Sequence, residues 1–169
     1  MPGASGASWK WLYVIAGVLC LMLMLTALTI RYPGAKIAPE ARVEWALANL
    51  PGPFVLSSSF GAQAAVALHM VTTIDPKVPV VMVDTQYLFP ETLQFAAALR
   101  ERLGFDLRVY RAPLSAAEFE AAHGKLWEGS ADDLKQYNEI MKLEPFRRAL
   151  RELGVQSWFS GLRRAQSST

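Results

Sequence analysis

Three consecutive hydroxyls and a glycine, Ser57-Ser58-Ser59-Phe60-Gly61-Ala62-Gln63, separate a short β-prone run from a helix-forming one. The run before them, Phe54-Val55-Leu56, starts just after the turn cluster Pro51-Gly52-Pro53. The run after them, Ala64 to Val71, is built mainly of Ala, Val, Leu and Met. A strand that ends in hydroxyls and then opens a helix can cradle an anion. The unpaired N–H groups of the first helical turn point outward, and the helix dipole adds partial positive charge. Gly61 would let the backbone approach a phosphate closely, and serine hydroxyls can bridge its oxygens. The plainer reading is an N-cap, which needs only one such residue. Three serines favour the anion site.

The elements around this loop alternate. A helix is expected from about Pro39 to Leu50, with Val43, Ala46, Leu47 and Leu50 at helical spacing. Strand Phe54–Ser58 and the helix after Gly61 follow. Val78–Val83 is an uninterrupted apolar run, as in a strand buried on both faces, and it ends at Asp84-Thr85. Pro90 opens a helix that reaches about Leu103 and stops at Gly104. Leu107–Tyr110 and Gln156–Ser160 read as strands. Glu118–Ala122, Asp132–Asn138 and Glu144–Leu153 read as helices. The fold class is therefore α/β, an open parallel sheet with helices on both faces. In such a sheet Ser57–Gln63, Asp84–Phe89 and Gly161–Ser167 each follow a strand, so one crevice at the strands' carboxyl ends can collect all three.

Composition narrows the chemistry. The 169 residues are enough for one domain of ordinary size, and 17 basic against 15 acidic side chains argue against a general nucleic-acid coat. The single cysteine, Cys20, excludes a disulfide framework and a multi-cysteine metal site within these residues. His69 and His123 lie far apart in sequence, and no metal site is expected. Basic residues gather between Lys142 and Arg164. Arg147, Arg148 and Arg151 read as a solvated helix face, whereas Arg163-Arg164 follow a strand and a glycine and can reach a strand-end site.

The N-terminus is of another kind. After a tail of residues 1–10, Trp11 to Ile30 is an uncharged apolar run of about 20 residues, the length that spans a bilayer's hydrocarbon core. Trp9, Trp11, Tyr13 and Tyr32 mark its ends, and Arg31, Lys36 and Arg42 follow it, which favours a cytoplasmic C-terminal side. A cleaved signal peptide fits less well, since the core is long and no Ala-x-Ala site closes it. A buried globular helix would carry a polar stripe, and this run has only Thr26 and Thr29. The expected organisation is one transmembrane helix at 11–30, a linker at 31–38 and a nucleotide-binding domain at 39–169.

Five segments, in order, resemble the phosphoadenylyl-sulfate (PAPS) reductases. They are Ser57–Gln63, Asp84–Thr92 (Asp-Thr-Gln-Tyr-Leu-Phe-Pro-Glu-Thr), Gly124–Trp127, Tyr137–Pro145 and Trp158–Ser167. The resemblance runs from about Ala38 to the last residue. It implies an adenine nucleotide alpha hydrolase-like, PP-loop type domain and an adenosine phosphosulfate ligand. On that footing Ser57, Ser58, Ser59, Gly61 and Gln63 contact phosphate or sulfate oxygens. Asp84, Thr85 and Leu88 lie near the nucleoside, and Lys142, Arg163, Arg164 and Gln166 serve the anion. Each has a plainer reading: Asp84 as a cap for the turn into Pro90, Lys142 as surface, Trp127 and Trp158 as core.

The same resemblance implies an oxidoreductase of assimilatory sulfate reduction, which yields sulfite and adenosine 3′,5′-bisphosphate with thioredoxin as external reductant and no bound cofactor. ATP pyrophosphatase-type relatives carry Ser-Gly-Gly-x-Asp-Ser, and this loop has no aspartate. Iron–sulfur adenylyl-sulfate reductases carry Cys-Cys where Tyr137-Asn138 stand, so no iron–sulfur cluster is implied. Gln86 departs from the glycine common after Asp-Thr in this family, at a stability cost if a positive φ is required. The family's nucleophile is a cysteine in a Glu-Cys-Gly-Leu-His tail beyond the Arg-Arg-x-Gln-Ser motif, and Thr169 comes before any such segment. A chain incomplete at its C-terminus is expected, with a non-catalytic membrane-tethered binding module or an inactive fragment as the alternative. Expected partners are PAPS or adenosine 3′,5′-bisphosphate, thioredoxin if the full family activity applies, the membrane through Trp11–Ile30, and a second copy if a homodimer forms. No nucleic-acid partner is expected.

Overall fold

Pro51-Gly52-Pro53 ends the first helix, and the chain then enters the middle of a four-stranded sheet. The computed structural model describes residues 37–61 and 64–161. The chain divides into two units, Met1–Ala38 and Pro39–Thr169, and the described elements all belong to the second. The α-helices and strands are α1 (Pro39–Asn49), β1 (Phe54–Ser57), α2 (Ala64–Ile74), β2 (Val80–Val83), α3 (Pro90–Leu103), β3 (Leu107–Tyr110), α4 (Ala116–His123), α5 (Ala131–Asn138), α6 (Glu144–Glu152) and β4 (Ser157–Ser160), with a 3-10 turn at Leu126–Glu128. The strands lie in the order β3-β2-β1-β4, all parallel. Leu56 pairs with Val80, Val81 with Arg108, and Ser57 with Ser160. This is the open parallel α/β sheet expected from the apolar runs.

Alternation along the strands decides which helix covers which face. Leu56, Val80 and Met82 point to one side and pack with Val43 of α1, Leu68 and Val71 of α2, and Ala96 of α3. Val55 and Val81 point to the other side and meet Ala149, Phe146 and Leu150 of α6. Leu56, Val80, Val81 and Leu68 are at most 1% exposed, and each such side chain contributes about 1.5–3 kcal/mol of transfer free energy. A third cluster, Phe119, Tyr137 and Met141 with Trp127 and Tyr87 against it, holds together the long excursion between β3 and β4.

Several boundaries differ from expectation for identifiable reasons. β2 begins at Val80 rather than Val78, because Pro79 has no N–H for the ladder and offers only its carbonyl, to Leu56 N–H at 3.0 Å. α4 and α5 begin at Ala116 and Ala131, earlier than expected, since Ser115 and Ser130 each form a reciprocal capping box with Glu118 and Asp133. α3 keeps its expected limits, with Pro90 in its first turn and Gly104 at φ 69° as its stop. A π-helical turn, Glu139–Leu143, was not expected. Pro145 cannot donate to the Met141 carbonyl and would crowd it, and the wider turn avoids this, with the Glu144 N–H reaching the Glu139 carbonyl.

Two side chains also differ. Trp158 is 55% exposed on the edge strand β4, with Phe146 edge-on at 6.1 Å, and is not core. Trp127 is packed, 4.7 Å from the Tyr87 ring. Arg148 is no solvated helix residue: it lies over the Tyr110 ring, reaches toward Glu144 and donates to the Arg111 carbonyl. Among the described residues no helix is long and apolar enough to cross a membrane. The Trp11–Ile30 run lies outside them.

Candidate functional site

The crossovers leave β1 in two directions, and that reversal creates the site. Through α2 and α3 the chain moves from β1 to β2 to β3 on one face. It then returns by α6 on the other face to β4, on the far side of β1. A switch point therefore lies at the carboxyl ends of β1 and β4, the place where open α/β sheets bind ligands. The serine loop leaves β1 there. Ser57 Oγ donates to the Phe159 carbonyl at 3.3 Å and ties the two strand ends together. The Ser58 N–H continues the ladder to the Val81 carbonyl, and its Oγ accepts from the Phe60 N–H at 3.1 Å. Ser59 is exposed, and among the described residues its hydroxyl has no partner.

Phe60, not Gly61, makes the sharp turn. Its φ is 53°, and its ring is 2% exposed, 6.3 Å from the Phe105 ring. A left-handed conformation costs a side-chain-bearing residue about 1–2 kcal/mol, and burying phenylalanine offsets this with about 1.5–3 kcal/mol. The buried ring pins the loop from below, and among the described residues nothing covers its outer side. A Cβ at Gly61 would meet nothing within 4 Å, so no described protein contact demands glycine there. That side, free of contacts among the described residues, suits an incoming anion. Ala64 N–H turns back to the Gly61 carbonyl at 2.8 Å as α2 begins. Gly161, after β4, lies against α2 beside Ala67.

The loop after β2 forms the neighbouring wall. Asp84 is 3% exposed; one carboxylate oxygen accepts from Gln86 N–H at 2.8 Å and the other from Arg111 Nε at 2.7 Å. Both oxygens thus serve the loop's shape. Thr85 is buried, and its Oγ1 accepts from Tyr87 N–H at 3.4 Å. Leu88 packs into the core of the α1–α3 face, while Phe89 is the apolar group that this loop exposes, at 76%. Gln86 has φ 64°, the positive value that a glycine would tolerate without strain. Tyr87 donates its hydroxyl toward the Ala116 carbonyl and Glu120. Burial first, and then the Glu120 carboxylate, push its phenol up to about 12. Burial likewise raises the Tyr110 phenol, with Glu152 adding to it.

The sequence-derived set therefore divides. Ser57, Ser58, Ser59 and Gly61 gather at the switch point, with Asp84 and Thr85 at the end of the adjacent strand. Lys142 is exposed in the π-helical turn, and its described contact is the Tyr137 ring, 5.3 Å away. Gln63, Arg163, Arg164 and Gln166 lie outside the described residues. Arg111 was not anticipated. Its only sequence signal is position, one residue past strand Leu107–Tyr110. Among the described residues no group of three His, Cys, Asp or Glu is placed to hold a metal.

Comparisons with known proteins bear on the family and the fold. The model of the phosphoadenosine phosphosulfate reductase domain matches residues 53–169. A phosphoadenosine 5′-phosphosulfate reductase of Klebsiella pneumoniae is 58% identical over 134 residues, 79% of this chain and 55% of the relative. One from Photobacterium profundum is 59% identical over 133 residues, 79% of this chain and 53% of the relative. The chain thus spans about half the length of these curated relatives. A crystal structure of PAPS reductase from Candida auris, as a phosphate complex, superposes with a TM-score of 0.66 at 31% identity, covering 78% of this chain and 64% of that one. On sequence and on fold together, this chain belongs to the phosphoadenosine phosphosulfate reductase domain family.

Proposed function

We propose that the domain is the nucleotide-binding portion of a PAPS reductase, which yields sulfite and adenosine 3′,5′-bisphosphate with thioredoxin as electron donor. One observation carries the reading: the serine loop lies at the β1/β4 switch point, inside a family match that runs over residues 53–169. The phosphosulfate would lie against Ser57, Ser58, Ser59, Gly61 and Gln63, with Arg163, Arg164 and Gln166 supplying charge and hydrogen bonds from beyond β4. The nucleoside would lie toward Asp84 and Thr85. The description of the Candida auris relative as a phosphate complex supports an oxyanion ligand for this fold.

The chemistry needs a thiolate. In the proposed reaction a cysteine sulfur attacks the sulfonyl sulfur, the bond to the phosphate oxygen breaks, and adenosine 3′,5′-bisphosphate leaves with that electron pair. A thioredoxin dithiol then reduces the S-sulfocysteine and releases sulfite. The residues described above bind, orient and neutralise charge; they do not attack. Within the 169 residues the only cysteine is Cys20, in the Trp11–Ile30 run. For these 169 residues taken by themselves, a second reading is a membrane-tethered adenosine phosphosulfate-binding module without catalysis. In both readings Trp11–Ile30 anchors the chain and the domain faces the cytoplasm.

Calorimetric titration of the full chain with adenosine 3′,5′-bisphosphate tests the shared core of these readings. Binding is expected, and Arg163→Ala should weaken it by about 1.5–3 kcal/mol, the scale of a charge-assisted hydrogen bond. No heat from the unaltered chain would overturn both.

A further inference from the structure

Gln86 holds a backbone conformation that favours glycine, and its side chain accounts for its presence. The amide leaves the β2–α3 loop and enters the next crossover: Nε2 donates to the Leu114 carbonyl at 2.9 Å, and Oε1 accepts from the Ala116 N–H at 3.3 Å. Ala116 opens α4, so its N–H is one that the helix itself leaves unpaired. Residues on either side of Gln86 reach the same way. Asp84 receives Arg111 Nε at 2.7 Å, and the Tyr87 hydroxyl lies 3.2 Å from the Ala116 carbonyl and 3.1 Å from Glu120 Oε1. The loop after β2 is therefore stitched at three residues, Asp84, Gln86 and Tyr87, to the loop after β3 and the start of α4.

We infer that Gln86 is a positioning residue whose amide joins the two loops into one preformed wall of the nucleotide crevice, fixing the Asp84–Thr85 turn on which that wall is built. The inference rests on the proposed nucleotide site. A glycine at position 86 would take φ 64° without strain but could not span the loops. Strain relief and loss of the clamp act in opposite directions on folding, but only loss of the clamp acts on the shape of the crevice. Stability and binding should therefore respond differently.

The test uses the full chain with Gln86→Gly and Gln86→Asn. Asparagine keeps the amide and tolerates positive φ, but is one methylene too short. Both variants should bind adenosine 3′,5′-bisphosphate about tenfold more weakly, the effect of one net hydrogen bond, while melting close to the parent. Amide hydrogen exchange should quicken in both loops together, at residues 84–88 and at Ala116. Parental affinity in both variants, or faster exchange confined to one loop, would overturn the inference. Should the parent chain bind no nucleotide, the proposed function fails, and exchange decides this point by itself: coupled acceleration upholds the clamp, and unchanged exchange at Ala116 removes it.

Discussion

Arg111 holds Asp84 across two adjacent strand ends: Nε meets Oδ2 at 2.7 Å, with the arginine side chain 60% exposed and the aspartate 5%. The carboxylate is thus buried beneath a cation that water still reaches. Arg148 in turn donates to the Arg111 carbonyl from α6, so the far face of the sheet braces this strand end. The ion pair shapes the loop on which the candidate site depends.

Arg111→Ala should therefore cost stability. It leaves the buried carboxylate with the Gln86 N–H as its one partner among the described residues. Hydrogen bonds to charged groups contribute about 1.5–3 kcal/mol, and solvent over the guanidinium places the loss near the lower end, about 1.5 kcal/mol. Urea unfolding measures it. An unchanged midpoint would show that the pair contributes nothing to folding.

Phe60→Ala should be more costly. The ring is buried against Phe105, and truncations of buried phenylalanine cost about 3–5 kcal/mol. Alanine keeps the positive φ and loses the burial that offset it. Both stability and nucleotide affinity should fall, read by unfolding and by calorimetry. A stable variant that binds normally would mean that the ring does not pin the serine loop.

Alkaline pH should expose Tyr87. Its phenol titrates near 10 when unfolded and is raised to about 12 in the fold, so the folded state binds the proton more tightly. The contribution is fully present below pH 10 and is lost as pH rises toward 12. Tyr87→Phe should flatten that decline in stability and remove one late-titrating component from the ultraviolet tyrosinate curve. A tyrosinate curve that loses an ordinary component instead would place Tyr87 in a different environment.

Acid should act on the capping boxes. Hydrogen bonds from Ser115 to Glu118 and from Ser130 to Asp133 hold both carboxylates below their usual range. Their contribution is present above the unfolded pKa values and is lost as pH falls through the lowered ones. The stability gap between the parent chain and Ser115→Ala should thus be widest near neutrality and narrow in acid to the share of the Ser115 Oγ cap on the Glu118 N–H. A gap independent of pH would exclude the charged form of Glu118 from the cap.

A polypeptide of these 169 residues should release no sulfite from PAPS with thioredoxin and reductant present. Positioning and charge neutralisation hold a phosphosulfate but cannot take its sulfonyl group without an attacking thiolate. On the proposed reading, appending a segment that ends in Glu-Cys-Gly-Leu-His should confer release. Sulfite from the unaltered chain, persisting in Cys20→Ser, would point to a different nucleophile.

Local pattern was sufficient for the frame. The apolar run through Val83 specified a strand buried on both sides, and Pro90 with Gly104 bounded α3, because these signals depend on residues a few positions apart. The serine loop was legible for the same reason: its strand, hydroxyls and helix are contiguous. The capping boxes were also within reach, as Ser-x-x-Glu and Ser-x-x-Asp, but apolar spacing alone starts the two helices one or two residues late.

What only the tertiary structure decided involves partners far apart in sequence. Arg111 lies 27 positions from Asp84, and Gln86 lies 28 from Leu114, so no local period marks either pair. Phe60 takes a positive φ because a core pocket beside Phe105 rewards it, and no propensity would place phenylalanine there. Trp158 is exposed because β4 is the edge strand of the described sheet, a matter of strand order rather than residue type. Periodicity reports which residues want burial; which of them meet is set when the crossovers close, and there the site takes its shape.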